Sequence, residues 1–243
     1  MSNLKLAIED LYSTFSQYTT LGIQHCDCGC IDEEDVMKLH SKPLRELNED
    51  DLVSYHGSAL FTWGDIEHYK HFLPRVFELY SIKRNSGLIN LFDIGCKLEY
   101  AKWTDWPENE IQAVKSFVLA DWIDFANDTT ARVSDTDLIN YLRFHDIEQL
   151  MQNWNITQSE KALRNFVMFF YYYGNLILDN RLKLNEKESN QELRKLIYAN
   201  NLTEKLQEAF FKYEEKDKEY AEKVSIVLQM IEQQLKIDKV NNR

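Results

Sequence analysis

Only seven glycines and three prolines are spread over 243 residues. These two residues supply most tight turns, and a β-sandwich or barrel needs many of them. A chain so poor in both is expected to run in long uninterrupted helices. Apolar residues make up 44% of the chain and aromatic residues 13%, enough to close a core rather than leave the chain disordered. The expected fold class is therefore all-α. It takes the form of a multi-helix array or an irregular helical bundle, with stacked helical hairpins of the HEAT or armadillo kind as one version of the array.

The apolar spacing places the helices. Leu4, Ile8, Leu11, Tyr12, Phe15 and Tyr18 recur at helical intervals and predict a helix over 3–19. A short helix from about Asp32 to Leu39 opens on four acids, which suit the positive end of its dipole. Asn48 before three acids predicts an N-cap for a helix over 49–61. Gly64-Asp65 predicts a break and a new cap, and Pro74 predicts a kink or restart in the helix that follows. Arg84 to Gly87 reads as a turn. Residues 88–101 are ambiguous, because Gly95 sits within an otherwise helical pattern. Helices are expected over 108–126 and from Ser134 to about Trp154. Thr157 and Glu160 have capping-box spacing ahead of a nearly all-apolar helix reaching about Asn180, the kind of helix that sits in a core.

A polar connector over 182–191 suggests a boundary. Residues 1–181 are expected to form the main helical domain. Residues 182–243 are expected to form a C-terminal helical hairpin or a coiled-coil-like arm packed on it. A long helix over 203–237 carries its apolar residues at alternating three- and four-residue steps, broken at Asp217. Such a helix suits either a hairpin or a homodimer arm.

The formal charge is -12. Residues 181–243 are close to neutral, with 13 basic and 12 acidic side chains, so the acidity belongs to the rest of the chain. An acidic body binds a phosphate backbone poorly, which argues against nucleic acid as a partner. It suits a basic protein partner, such as a toxin domain. Lys5, Glu9 and Asp10 interrupt the first 21 residues, so no signal segment is expected there. The apolar run from Phe166 to Leu178 is too short to span a bilayer, which needs about 20 residues. A cytoplasmic location and reduced cysteines follow as expectations.

The chemically loaded stretch is His25-Cys26-Asp27-Cys28-Gly29-Cys30. Thiolate and imidazole are the ligands zinc takes, and six residues offer three thiols and one imidazole. The single-residue spacing is unfavourable, since a structural zinc knuckle usually places two residues between paired cysteines. His68 and His71, three apart on a predicted helix, could complete a set. The candidate metal ligands are thus His25, Cys26, Cys28, Cys30, His68 and His71, with zinc as the candidate ion. A reduced thiol loop beside solvated histidines, and redox or thiol-transfer chemistry, are the competing readings. Cys96, in an apolar setting, reads as a small core residue.

Other catalytic signals are weak. Phe144-His145-Asp146 holds an HD dipeptide of the sort metal phosphohydrolases use, with Asp179 as a distant last ligand. A surface histidine beside an acid is the plainer reading. There is no G-x-G-x-x-G, no Walker-type G-K-[ST] and no H-E-x-x-H. Trp63, Trp103, Trp106, Trp122 and Trp154 read as core anchors, with Trp103 and Trp106 able to line a partner groove. No catalytic residue is assigned.

Several stretches together resemble a family of uncharacterised bacterial cytosolic proteins with an N-terminal Cys-rich loop and a KHFLPR-type motif. They are the loop at 26–30, Ser41 to Leu47, Thr62-Trp63-Gly64, Lys70 to Arg75, Tyr100 to Trp103 and Trp106-Pro107. The resemblance covers the first half of the chain and implies no activity. It marks 70–75 as a segment of structural specialisation, with Arg75 set to pair with an acid. The functional expectation is a helical protein-interaction module without catalysis. The alternative is a metal-binding protein or metal-dependent hydrolase built on the Cys/His set.

Overall fold

The structure, a computed structural model, describes residues 2–84, 87–128, 132–184 and 189–241. The middle of the expected 84–87 turn and part of the 182–191 connector lie outside the described residues. Among the described residues there are twelve α-helices, three 3-10 turns and no β-strand, so the fold is all-α. No described helix is long and apolar enough to cross a membrane.

By internal contacts the chain forms two compact units, Met1–Asp121 and Trp122–Arg243. The division falls within a helix rather than at the polar connector near residue 182. Residues 122–181 therefore group with the C-terminal helices.

Unit 1 begins with α1 (Asn3–Thr14), five residues shorter than expected at its C-terminus. Phe15 ends it and turns inward against Trp106. After a long irregular strap come α2 (Glu33–Leu39), a 3-10 turn over Leu44–Glu46 and α3 (Glu49–Ser58). Asn48 and Asp51 form a reciprocal capping box at the start of α3, where the sequence placed its cap. The end of α3 is capped by a side chain from elsewhere: the Lys97 ammonium donates to the carbonyls of Gly57 and Ala59, each at 2.8 Å.

The central element is α4 (Ile66–Lys83), opened by a capping box between Asp65 and His68. It continues through Pro74 with no restart. Proline costs a helix one donor and a clash, but Phe72, Leu73, Val76 and Phe77 around it are all buried. Packing of that face outweighs the local penalty. Arg75, on the same helix, donates to Glu78 at 2.6 Å and to the Leu47 carbonyl at 2.6 Å. Residues 88–101 resolve as α5 (Leu91–Tyr100), with Asn90 capping it and Gly95 buried within it. The helix α6 (Glu108–Asp128) follows a 3-10 turn at Trp103–Asp105 and runs across the boundary between the units.

Unit 2 contains α7 (Asp135–Tyr141) and α8 (Ile147–Gln152), where the sequence suggested one helix. Asp146 stops the first pattern by capping the second, accepting from Gln149 N–H at 2.8 Å. Next is α9 (Glu160–Leu178), capped by Ser159 and not by Thr157. Its Phe166, Val167, Phe169 and Phe170 are buried, while Tyr172 stays half exposed. Trp122, Tyr141, Trp154, Phe166 and Phe169 form a connected ring cluster, and the Trp122 indole N–H donates to the Leu150 carbonyl. The short α10 (Ser189–Lys195) leads to α11 (Leu202–Tyr213) and α12 (Lys218–Asn241). These last two were expected as one helix. Asp217 breaks them apart and accepts from the Tyr220 N–H, so they fold back as a hairpin, with α12 packed on α9.

Candidate metal centre

The thiol loop lies between α1 and α2 in unit 1. It is reached by a strap, residues 15–26, pinned to α4 and to the Thr62-Trp63-Gly64 turn. Cys26 N–H donates to the Thr62 carbonyl and Gly64 N–H donates to the Gln24 carbonyl, both at 2.8 Å. These two bonds make a single antiparallel bridge between His25 and Trp63. The His25 ring packs edge-on to the Trp63 indole, with centroids 6.1 Å apart.

The other two predicted imidazoles hold the same strap. His68 Nε2 meets the Leu21 carbonyl at 3.2 Å, and its Nδ1 serves the Asp65 cap. His71 Nδ1 meets the Tyr18 carbonyl at 2.8 Å. A carbonyl only accepts, so each of these nitrogens carries its proton toward the strap. For His71, burial holds the ring below the usual histidine range, opposed by the bond to Tyr18, so the ring is neutral near pH 7. His68 and His71 thus share one helix face, as their spacing implied, but that face is turned to backbone oxygens. The sequence offered no sign of this, because the carbonyls they bind belong to residues some 50 positions away.

Gly64 is what lets the strap close. Its φ of +69° lies in the left-handed region, and a Cβ there would stand 3.1 Å from His68 Cβ and 3.4 Å from the Ile23 side chain. Gly64→Ala is expected to destabilise unit 1 by about 1–2 kcal/mol from the backbone conformation alone. Urea unfolding measures that loss. Faster amide exchange at Cys26 and Gly64 would locate it in the strap.

Beyond Cys26 the chain leaves the protein body. Cys26 is half-buried, and Cys28 and Cys30 are exposed. Gly29, at φ +77°, turns the chain back so that the loop is not extended. That turn removes the objection raised by the single-residue spacing. The three sulfurs gather with every Sγ within 4.8 Å of the others. Cys28 N–H donates to the Cys26 sulfur at 3.3 Å, and the Cys28 and Cys30 sulfurs share a contact at 2.8 Å. Thiolates about 2.3 Å from one ion stand about 4 Å apart in a plane, so the trio needs little rearrangement to take a cation.

The group does not ionise evenly. S–H bonds from Cys26 and then Cys30 hold the Cys28 thiol below the usual range. The Cys30 thiol is pushed up to about 11, chiefly by its bond to Cys28. Of Cys28 and Cys30, it is therefore Cys28 that takes negative charge more readily. Asp32, Glu33, Glu34 and Asp35 follow at once and open α2, which sets more negative charge next to the loop.

Among the described residues, Cys26, Cys28 and Cys30 are the group with metal-ligand proximity; His25, His68 and His71 are not part of it. Cys96 sits half-buried on α5, apart from them. The HD dipeptide has other work in unit 2: Asp146 caps α8 and His145 Nδ1 meets Gln149 Oε1 at 2.9 Å. Asp179 pairs with Arg181 at 2.6 Å. Comparison with protein-family models, with curated proteins and with solved structures gives no match to this chain.

Proposed function

We propose that this chain is a cytoplasmic metal-binding protein whose Cys26, Cys28 and Cys30 hold one thiophilic cation. The observation that supports the reading is the convergence of three thiols on a loop that the fold pins at its base and presents to solvent. Three thiolates in reach of one point attract a soft ion, and the adjoining acids favour any cation. The reading needs reduced thiols, which a cytoplasmic setting maintains. Metal-dependent hydrolysis gains no support, since both helix histidines are engaged with backbone carbonyls.

Elemental analysis is the test, on protein purified without chelator and without a metal-binding tag. About one equivalent of a thiophilic metal is expected per chain, as one tight cluster of thiolates holds one ion. It should be lost in the Cys26→Ser/Cys28→Ser/Cys30→Ser variant, which keeps its helical circular dichroism because the substituted side chains lie outside the core. A metal-free wild-type protein that also fails to bind added metal would overturn the reading.

A second reading, a docking module for a protein partner, draws on a different feature. Phe61 and Tyr100 are 61% and 59% exposed yet lie against each other, with centroids 4.8 Å apart, and Phe92 on the same helix as Tyr100 is 51% exposed. Contiguous exposed apolar surface of this kind is a feature of interaction sites. A partner recovered with the wild type and lost with Phe61→Ser/Tyr100→Ser would favour it.

A further inference from the structure

We infer that the ion taken by this loop is a soft monovalent cation of the copper(I) class, held by the three thiolates and passed on, rather than a resident structural zinc. The inference rests on the metal-binding reading above and deepens it. The donor set is the first support. Thiolate ligands suit copper(I), zinc and iron–sulfur centres alike, so the ligand count has to separate them. Structural zinc takes four protein ligands. Among the described residues no fourth His, Cys, Asp or Glu atom joins Cys26, Cys28 and Cys30. The imidazoles of His68 and His71 are engaged with the Leu21 and Tyr18 carbonyls, and His25, packed edge-on to Trp63, is not among the converging ligand atoms. Three sulfurs with nothing added are a complete shell for copper(I) and an incomplete one for zinc.

The second support is the way the loop is anchored. A structural metal supplies folding energy to a segment that would not otherwise hold its place. Here the strap is already fixed by Cys26 to Thr62, Gly64 to Gln24, His68 to Leu21 and His71 to Tyr18. Cys26 is the last of those anchors and Cys28 and Cys30 lie beyond it; the three ligands fall within five consecutive residues, so an ion bound to them ties no distant parts of the chain together.

The third support is access. Cys28 and Cys30 are exposed, so the thiolates of a donor or acceptor can reach the ion from solvent and replace one sulfur at a time. Loading forms three copper–sulfur bonds as the sulfurs of the donor leave. The thiol protons pass to solvent on loading and return on unloading. Copper enters and leaves as copper(I), and no electron changes hands.

The test uses the full reduced chain under anaerobic conditions. Tetrakis(acetonitrile)copper(I) is titrated against bicinchoninate as the competing chromophore, and zinc chloride is titrated in parallel. One copper(I) per chain is expected, displacing any zinc, with copper-edge absorption fitted by sulfur neighbours alone. Cys28→Ser should weaken copper(I) binding by more than about 100-fold, beyond what loss of an outer-shell contact costs. His25→Ala should leave it unchanged. A local three-cysteine segment binds nearly as well in the unfolded chain, so copper(I) should barely move the melting temperature.

Zinc that survives copper(I), or that raises the melting temperature by more than about 10 °C, would mean a distant fourth ligand such as His68 or His71 has been recruited. Either result overturns the copper(I) inference and leaves the metal-binding reading standing. Failure of both ions to bind would remove both.

Discussion

Replacing Lys70 with methionine is expected to cost unit 1 about 3–5 kcal/mol, the usual penalty for leaving a buried charge without its counter-charge. Lys70 reaches Glu110 Oε2 at 2.6 Å, with side chains 8% and 0% exposed. The contact is an ion pair rather than an aligned hydrogen bond, since Oε2 has no well-directed donor. The other oxygen, Oε1, accepts from the Tyr18 hydroxyl at 2.6 Å and, more weakly, from Gln17 at 3.4 Å. The ammonium also donates to the Tyr18 hydroxyl at 3.2 Å and sits over the Trp106 ring, 4.2 Å from its centroid. The group thus joins the residues after α1, the second turn of α4 and the first turn of α6. Methionine keeps the stem that packs between Tyr18 and Trp106 and removes only the charge. Glu110→Gln should cost a similar amount by leaving the ammonium unbalanced. The Lys70→Met/Glu110→Gln pair should be less destabilised than the two losses added together, because neither orphaned charge remains. Urea unfolding of the four proteins gives the coupling. A Lys70→Met loss below about 1 kcal/mol would place the pair among the weak surface bridges.

This pair was not legible in the sequence, and the reason is general for this chain. Its members lie 40 residues apart, and nothing in the spacing of either helix singles them out. Lys70 falls within the segment marked for specialisation, but the residue expected to pair there was Arg75. What could be read was local. Few glycines and prolines imply helices, and the apolar intervals placed most of them. The caps at Asn48 and Ser134 depend on bonds three residues long, so they were visible. The cap of α9 was misplaced by two residues because Thr157 and Ser159 both offer a hydroxyl ahead of the same apolar run. Ser159 wins, and its hydroxyl also donates to the Asn127 carbonyl.

The candidate site divides along the same line. Cys26, Cys28 and Cys30 were legible as a candidate trio, but their spacing argued against one ion, and only the local turn at Gly29 brings the sulfurs together. His68 and His71 were legible as a pair on one face, but not that this face meets backbone carbonyls, because that is set by the strap. The anchors at Thr62 and Gly64 lie nearly 40 residues beyond the strap they hold. Spacing arguments alone therefore tend to overstate metal sets: an imidazole that holds a backbone carbonyl looks, in sequence, the same as one that awaits an ion.

Lowering the pH should destabilise unit 1 by about 3 kcal/mol through one side chain, His56. The ring is 3% exposed, and neither nitrogen has a hydrogen-bond partner. It lies on α3 against Tyr69 of α4, with ring centroids 6.1 Å apart, and close enough to Lys97 and Asp93 of α5 to feel both charges. Burial is the main influence and Lys97 the next; Asp93 opposes them, and the result holds the ring at about 4. A base with a depressed value in the folded state is neutral there while the unfolded chain still takes up its proton. The stability His56 allows is therefore complete above about pH 6.5, falls as the pH drops toward about 4, and changes no further below that. His71, also held low by burial, acts in the same direction. The two are separated by His56→Leu. Near pH 7.5 the variant should stay within about 1 kcal/mol of the wild type, because the lost ring had no hydrogen bond to surrender. At pH 4.5 it should be the more stable protein, with only the shallower dependence of the remaining groups. Urea midpoints at the two pH values decide it. A variant whose pH dependence matches the wild type would show that His56 finds water or a proton acceptor in solution and is not the buried neutral ring that its surroundings demand.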